Sequence, residues 1–165
     1  MSQSSDRGEG RKVLLPPDIT PDHVLGLLEM LHSLGDNVDS MYIGDSLGES
    51  VETLPHAIDV AEALGLVRTS SGNLQLTELG RKIVKGDPKT VRRELRRHVE
   101  KLEPLGELVR ILKERKSISV EEFMEIIDKY YPGNSEEAAK NILIWGAFLN
   151  LFKMDEDDEE VHLIH

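Results

Sequence analysis

Apolar residues along this chain recur mostly every three or four positions, the period of a helix, and switch to alternation in only a few short places. Thr20-Pro21 is a cap followed by proline at the first helical position. Val24, Leu25, Leu27, Leu28, Leu31 and Leu34 then supply an apolar face, predicting a first helix to Leu34 that Gly35 stops. Val38 is a candidate short strand. Residues 40–47 read as a brief helix ended by Gly48, and Ser50 caps a longer one through Leu64, with Pro55 leaving its start open between Val51 and Leu54. In residues 61–82 a helix stop at Gly65, a strand at Leu66, Val67 and Arg68, a turn at Ser70-Ser71-Gly72-Asn73 and a returning strand through Leu74 and Leu76 follow one another, before Thr77 caps a new helix.

The second half repeats that order. Gly86 stops the helix begun at Thr77, and Asp87-Pro88 starts a long one carrying Val91, Leu95, Val99 and Leu102, until Pro104 kinks it or restarts it through Leu105, Leu108, Val109 and Leu112. Ile118 offers another short strand. Ser119 with Glu122 forms a capping box before Phe123, Ile126, Ile127 and Tyr130; Ser135 caps the last helix, residues 136–149. That helix ends in Leu149-Asn150-Leu151-Phe152-Lys153, which matches Leu64-Gly65-Leu66-Val67-Arg68 in residue type. Gly and Asn are the residues that most readily take a left-handed helix terminus, so the same stop is expected twice. Phe152 and Met154, residues 155–160, and Val161 with Leu163 then read as strand, turn and return. The predicted fold is mainly α with minor β: tandem winged helix-turn-helix units at 19–86 and 104–165, joined by a connecting helix at 87–103, after a disordered tail at 1–18.

Composition narrows the chemistry. With 165 residues, 39% of them hydrophobic, the chain can bury a substantial core, and the absence of cysteine removes disulfides, thiolate metal sites and thiol nucleophiles together. No apolar run approaches the roughly 18 residues of a membrane span, and the first twelve residues are polar, so a cytoplasmic protein is expected. No phosphate-binding loop is present: residues 44–48 lack the lysine and preceding strand such a loop needs. The histidines are scattered, apart from His162 and His165, and the acidic residues 155–160 have neither the glycine nor the ligand spacing of a calcium loop. No catalytic, metal or cofactor site is therefore expected, and the protein is read as a non-enzyme.

The formal charge of −11 is the wrong sign for a protein living on phosphate backbones. If the first unit read DNA, Thr53, His56, Arg68 and Asn73 would be its contacts. The helix that would enter the groove carries Glu52, Asp59 and Glu62, however, and the second unit's turn is six carboxylates. Positive charge gathers in residues 81–101, where nine cations face three carboxylates, net +6, leaving −17 on the rest of the chain. Arg92, Arg93, Arg96, Arg97 and Lys101 are the candidate interaction residues, for a protein partner or another copy of the chain. The plainer alternative is a solvated helix face, and a weaker one is a helix lying on anionic lipid.

The run LPHAIDVAEALGLVRTSSGNLQLTELGRKIV, then HVEKLEPLGELVRIL, then NILIWGAFLNLFKMDEDDEEVHL, resembles the C-terminal AAA-associated domain found downstream of the ATPase in some nitrate/sulfonate-type ABC transporters. The likeness rests on LTxLGR at residues 76–81 and WGxxxxLFxxD at residues 145–155. It implies a regulatory or docking role toward such an ATPase, with no catalytic residue to carry over. A winged-helix transcription regulator is the alternative.

Overall fold

The computed structural model describes residues 12–39 and 53–164. The expected brief helix at residues 40–47, with Gly48 and Ser50, lies outside them. Among the described residues there are seven α-helices: α1 (Pro21–Ser33), α2 (Thr53–Ala63), α3 (Glu78–Lys85), α4 (Pro88–Arg96), α5 (Leu105–Arg115), α6 (Val120–Tyr130) and α7 (Ser135–Phe148). Eight short strands accompany them: β1 (Val13–Leu14), β2 (Asn37–Asp39), β3 (Val67–Ser70), β4 (Asn73–Leu76), β5 (Leu102–Glu103), β6 (Ser117–Ser119), β7 (Phe152–Met154) and β8 (Glu160–Leu163). The protein is thus mainly α with minor β.

Two of the sheets are built alike. Each has three antiparallel strands, ordered β2-β4-β3 and β6-β8-β7, so the returning strand of a hairpin is always central. The strand that follows a helix, β2 or β6, closes the other edge, pairing Val38 with Leu74 and Ile118 with Val161 through buried side chains. Before each hairpin the helix stops in the same way. Gly65 (φ 78°) donates to Glu62 and Leu66 to Ala61; Asn150 (φ 56°) donates to Ala147 and Leu151 to Gly146, which is the paired-bond ending of a left-handed terminus. The caps follow the expected residues. Thr77 accepts from the Gly80 amide at 3.0 Å, Asp87 from Thr90 at 2.8 Å and Ser119 from Glu122 at 3.0 Å. The Glu122 carboxylate does not complete the box; it pairs with Arg115 instead. Ser135 is the first residue of α7, with Asn134 before it, and its hydroxyl donates to Asp128 at 2.6 Å.

Two expectations need correction. The connecting helix does not run to residue 103: α4 ends at Arg96, and a 3-10 turn (Val99–Lys101) leads into β5. His98 and Lys101 amides bond to carbonyls three residues back, which tightens the chain so that Val99 and Leu102 still reach the core. Nor is the segment from residue 12 to 18 a loose tail. Val13–Leu14 pairs in parallel with Leu102–Glu103, and Leu15 and Ile19 are wholly buried. The second half supplies the donors this segment needs. Tyr131 donates its hydroxyl to the Leu15 carbonyl at 2.6 Å, and Asn141 and the Trp145 indole donate to the Ile19 carbonyl at 3.0 and 2.8 Å. One connected set of buried side chains therefore runs through both halves, with Trp145 only 1% exposed inside it.

Candidate functional site

The charged candidates lie on α4 and on what packs beside it. Val91 and Leu95 turn one stripe of this helix into the core, so its arginines are left to the rim and the outer face. Amid those cations sits Glu94, only 6% exposed. It holds Lys82 at 3.2 Å, Arg97 at 3.6 Å and Arg93 at 4.0 Å, binding α3 to α4 through one carboxylate. The hydrogen bond from Lys82 keeps the Glu94 carboxyl below its ordinary range, although burial pushes the other way. The side chains of Arg93 and Arg97 remain 58% and 71% exposed, so both can still meet a partner.

The five expected interaction residues do not form one patch. Arg96 donates to the Leu149 carbonyl at 3.1 Å, satisfying the end of α7 and favoured there by the helix dipole, so it is a structural tie. Arg92 stands at an apolar groove of ≈ 230 Å³ between α1, α3, α4 and Phe148 of α7. Lys101 is half-buried in the 3-10 turn. Arg96 and Arg97 instead line a second, larger cleft of ≈ 720 Å³ together with Arg110 and Lys113 of α5, against the single carboxylate of Glu100. Its apolar wall includes Val109, Leu151 and Leu163. The sequence does not flag Arg110 and Lys113, because they lie in a stretch of mixed charge. Their one signal is the i, i+3 spacing on the face away from Leu108 and Leu112.

Between α4 and the 3-10 turn, His98 is pushed below its ordinary value, first by burial and then by Lys101 and Arg97. It is neutral at pH 7 and adds no charge. Arg110 pairs with Glu103 at 3.5 Å, and Lys113 has no ion-pair partner among the described residues.

The residues that a DNA-reading surface would use stand elsewhere. Thr53 and His56 lie in the first turn of α2, and Arg68 and Asn73 on the β3–β4 hairpin, where Arg68 is exposed opposite Gln75. Further along α2, Asp59 faces solvent and Glu62 accepts the Thr69 hydroxyl at 2.9 Å. In the second half, α7 presents Glu136 and Glu137 in its first turn, with an isoleucine, Ile144, 48% exposed farther along. No group of three His, Asp or Glu side chains among the described residues converges as a metal would require. None of the described helices is long and apolar enough to cross a membrane.

A family model described as the C-terminal AAA-associated domain matches residues 41–155, more than half of the chain. The chain belongs to that family. The match takes in α2 to α7, the β3–β4 hairpin, the basic helix α4 and β7, and leaves α1, β2 and β8 outside it. Neither curated proteins nor solved structures give a match. Membership of an AAA-associated family fits an accessory module better than a self-contained catalyst.

Proposed function

We propose that this AAA-associated domain is a non-catalytic regulatory module of two winged-helix units that docks on an ATPase, of the ABC transporter type, through the outer face of α4 and α5. A cytoplasmic setting suits that role. The observation that carries the reading is the placement of charge. Positive side chains collect at Arg93 and Arg97 on the segment linking the two units and at Arg110 and Lys113 on the adjoining α5, while the helices that would enter a DNA groove bear Asp59 and Glu62 in one unit and Glu136 and Glu137 in the other. The repeated sheet order and the repeated helix stop support the winged-helix description.

The test is a titration of the purified chain against the ABC-type ATPases of its own cell, followed by calorimetry and by ATPase rate. Binding to one of them, lost when Arg93, Arg97, Arg110 and Lys113 are changed to Gln without loss of the fold, is expected. No binding to any of them would remove the proposal. DNA provides the counter-experiment: submicromolar affinity for a defined operator at about 0.15 M salt, abolished by Arg68→Gln, would replace the docking reading with that of a transcription regulator.

A further inference from the structure

We propose that the cleft between α4 and α5 receives the acidic β7–β8 turn of a second copy of this chain, so that molecules associate head to tail. This goes beyond the docking reading and needs only the chain itself. The cleft is concave, and at ≈ 720 Å³ it is within the range of about 300–1,000 Å³ typical of ligand sites. Arg97, Arg110 and Lys113 rim it with exposed charge, and Leu151 and Leu163 give it an apolar wall.

The occupant is suggested by the opposite end of the same hairpin. Residues 155–160 are all carboxylates, and the last five of them are exposed. Their backbone is held in one shape: the Asp155 amide donates to Glu160 at 2.9 Å, and the Asp155 carboxylate accepts from Glu159 at 2.9 Å and Glu160 at 3.4 Å. Those amide bonds hold the Asp155 carboxyl below its ordinary range and leave Glu156, Asp157, Asp158 and Glu159 turned to solvent. A turn already fixed in this way gives up little conformational entropy on docking.

One molecule cannot satisfy itself by this contact. Glu160 opens β8, whereas Leu163 and Ile164, at its other end, line the cleft. At about 3.3 Å per residue, the strand holds the turn roughly 10 Å or more from its own cleft. The contact is therefore between unlike surfaces of two copies, and an assembly that does not close on itself keeps a free turn and a free cleft at its ends. Growth with concentration past the dimer is the expected behaviour of such an open chain.

Sedimentation equilibrium of the full chain tests it. At about 20 mM salt the average mass should climb with protein concentration beyond twice the monomer, and at about 0.5 M salt it should return to the monomer, since the Debye length falls to a few ångströms. A turn variant (Glu156→Lys, Asp157→Lys, Glu159→Lys) and a cleft variant (Arg97→Glu, Lys113→Glu) should each be monomeric, and their equimolar mixture should associate again, because each then offers the charge the other lacks. Circular dichroism identifies any variant that has lost its fold, and Arg97→Gln with Lys113→Gln serves in place of the reversed pair. A wild-type chain that stays monomeric at low salt, association that the folded turn variant retains, or a mixture that remains monomeric would each overturn the proposal. The docking reading has its own readout, binding to an ATPase, and would stand or fall separately.

Discussion

The two hairpin-bearing halves share a plan and differ in what they do with it. In the first, α2 stops at Gly65 and leads to a turn, Ser70-Ser71-Gly72-Asn73, that carries no charge; in the second, α7 stops at Asn150 and leads to six carboxylates. The backbone device is common because it answers a common need, which is to end a helix and reverse the chain within a few residues. Burial separates them further. α2 buries only Leu54, Ala57, Val60 and Ala61, an ordinary stripe, whereas α7 buries Ala138, Ala139, Asn141, Ile142, Trp145 and Gly146, a wider one. Part of that wider stripe of α7 meets the N-terminal segment and α1, which makes the second half the anchor for the segment at residues 13–19.

The largest effect should come from removing that anchor. Trp145→Ala deletes a buried indole and leaves the Ile19 carbonyl with one donor fewer, and should destabilise by about 3–5 kcal/mol in chemical denaturation. Trp145→Phe keeps most of the bulk and loses only the donor, so about 1–3 kcal/mol is expected. An indole emission maximum near that of free tryptophan in water would contradict the burial on which both numbers rest.

Next in size are two glycines at close approaches, one in each half. A Cβ on Gly80 would stand 2.1 Å from the Leu66 carbonyl oxygen, and one on Gly146 2.4 Å from the Phe152 ring. The first obstacle is backbone and the second a side chain, although a fully buried one. Both alanine variants should lose about 1–3 kcal/mol, with Gly80→Ala at or above the top of that range because a main-chain carbonyl has less room to yield. Equal losses, or the reverse order, would show that the aromatic packing of the second half is the stiffer.

How much of this was legible in the sequence follows the range of each interaction. Caps, stops, hairpins and strand candidates are local, and Thr77, Asp87, Gly65, Asn150, Val38 and Ile118 announce them by residue type. The pairing of residues 13–14 with 102–103 is not local. Two residues per strand carry no periodicity, and the donors that hold the segment, Tyr131, Asn141 and Trp145, lie more than a hundred positions away. Of the candidate site, the charge of α4 was visible, but its division was not: only the fold shows that Arg96 serves α7, that Glu94 is the buried hub, and that α5 completes the cleft.

Acid should act on that division next. Glu94, Glu107 and Asp155 all have carboxyls held low, by Lys82, by Tyr130 and by the Glu159 amide respectively, so their stabilisation is present above the unfolded value near 4.5 for Glu and is lost as pH falls through the folded one. His98 is also lowered, from 6.5, and for a base the unfolded chain then takes up the proton that the folded chain resists. Stability should therefore begin to fall below about pH 6.5 and fall more steeply below about 4.5. His98→Gln should flatten the first part of the profile only, as followed by Tm between pH 4 and 8. A profile flat to pH 5 in the wild type would show that His98 meets water freely.

The smallest effects should come from the repeated stop itself. A Cβ on Gly65 would meet only Leu79 Cδ2 at 3.9 Å, an ordinary contact, so Gly65→Ala tests the backbone conformation alone. At φ 78° an alanine should cost about 1–2 kcal/mol, the penalty of a left-handed L-residue. Asn150, at φ 56°, already carries part of that penalty, softened by the ease with which asparagine enters this region. Asn150→Ala should therefore lose less than Gly65→Ala, and Asn150→Gly should move stability by no more than about 0.5 kcal/mol in either direction, because the glycine's relief in the folded state is offset by its freedom in the unfolded chain. Paired denaturation curves for Gly65→Asn and Asn150→Gly make the comparison direct. If the two stops are the same device, Gly65→Asn should be tolerated far better than Gly65→Ala; equal losses for asparagine and alanine at residue 65 would mean that the first stop demands glycine for a reason the second does not share.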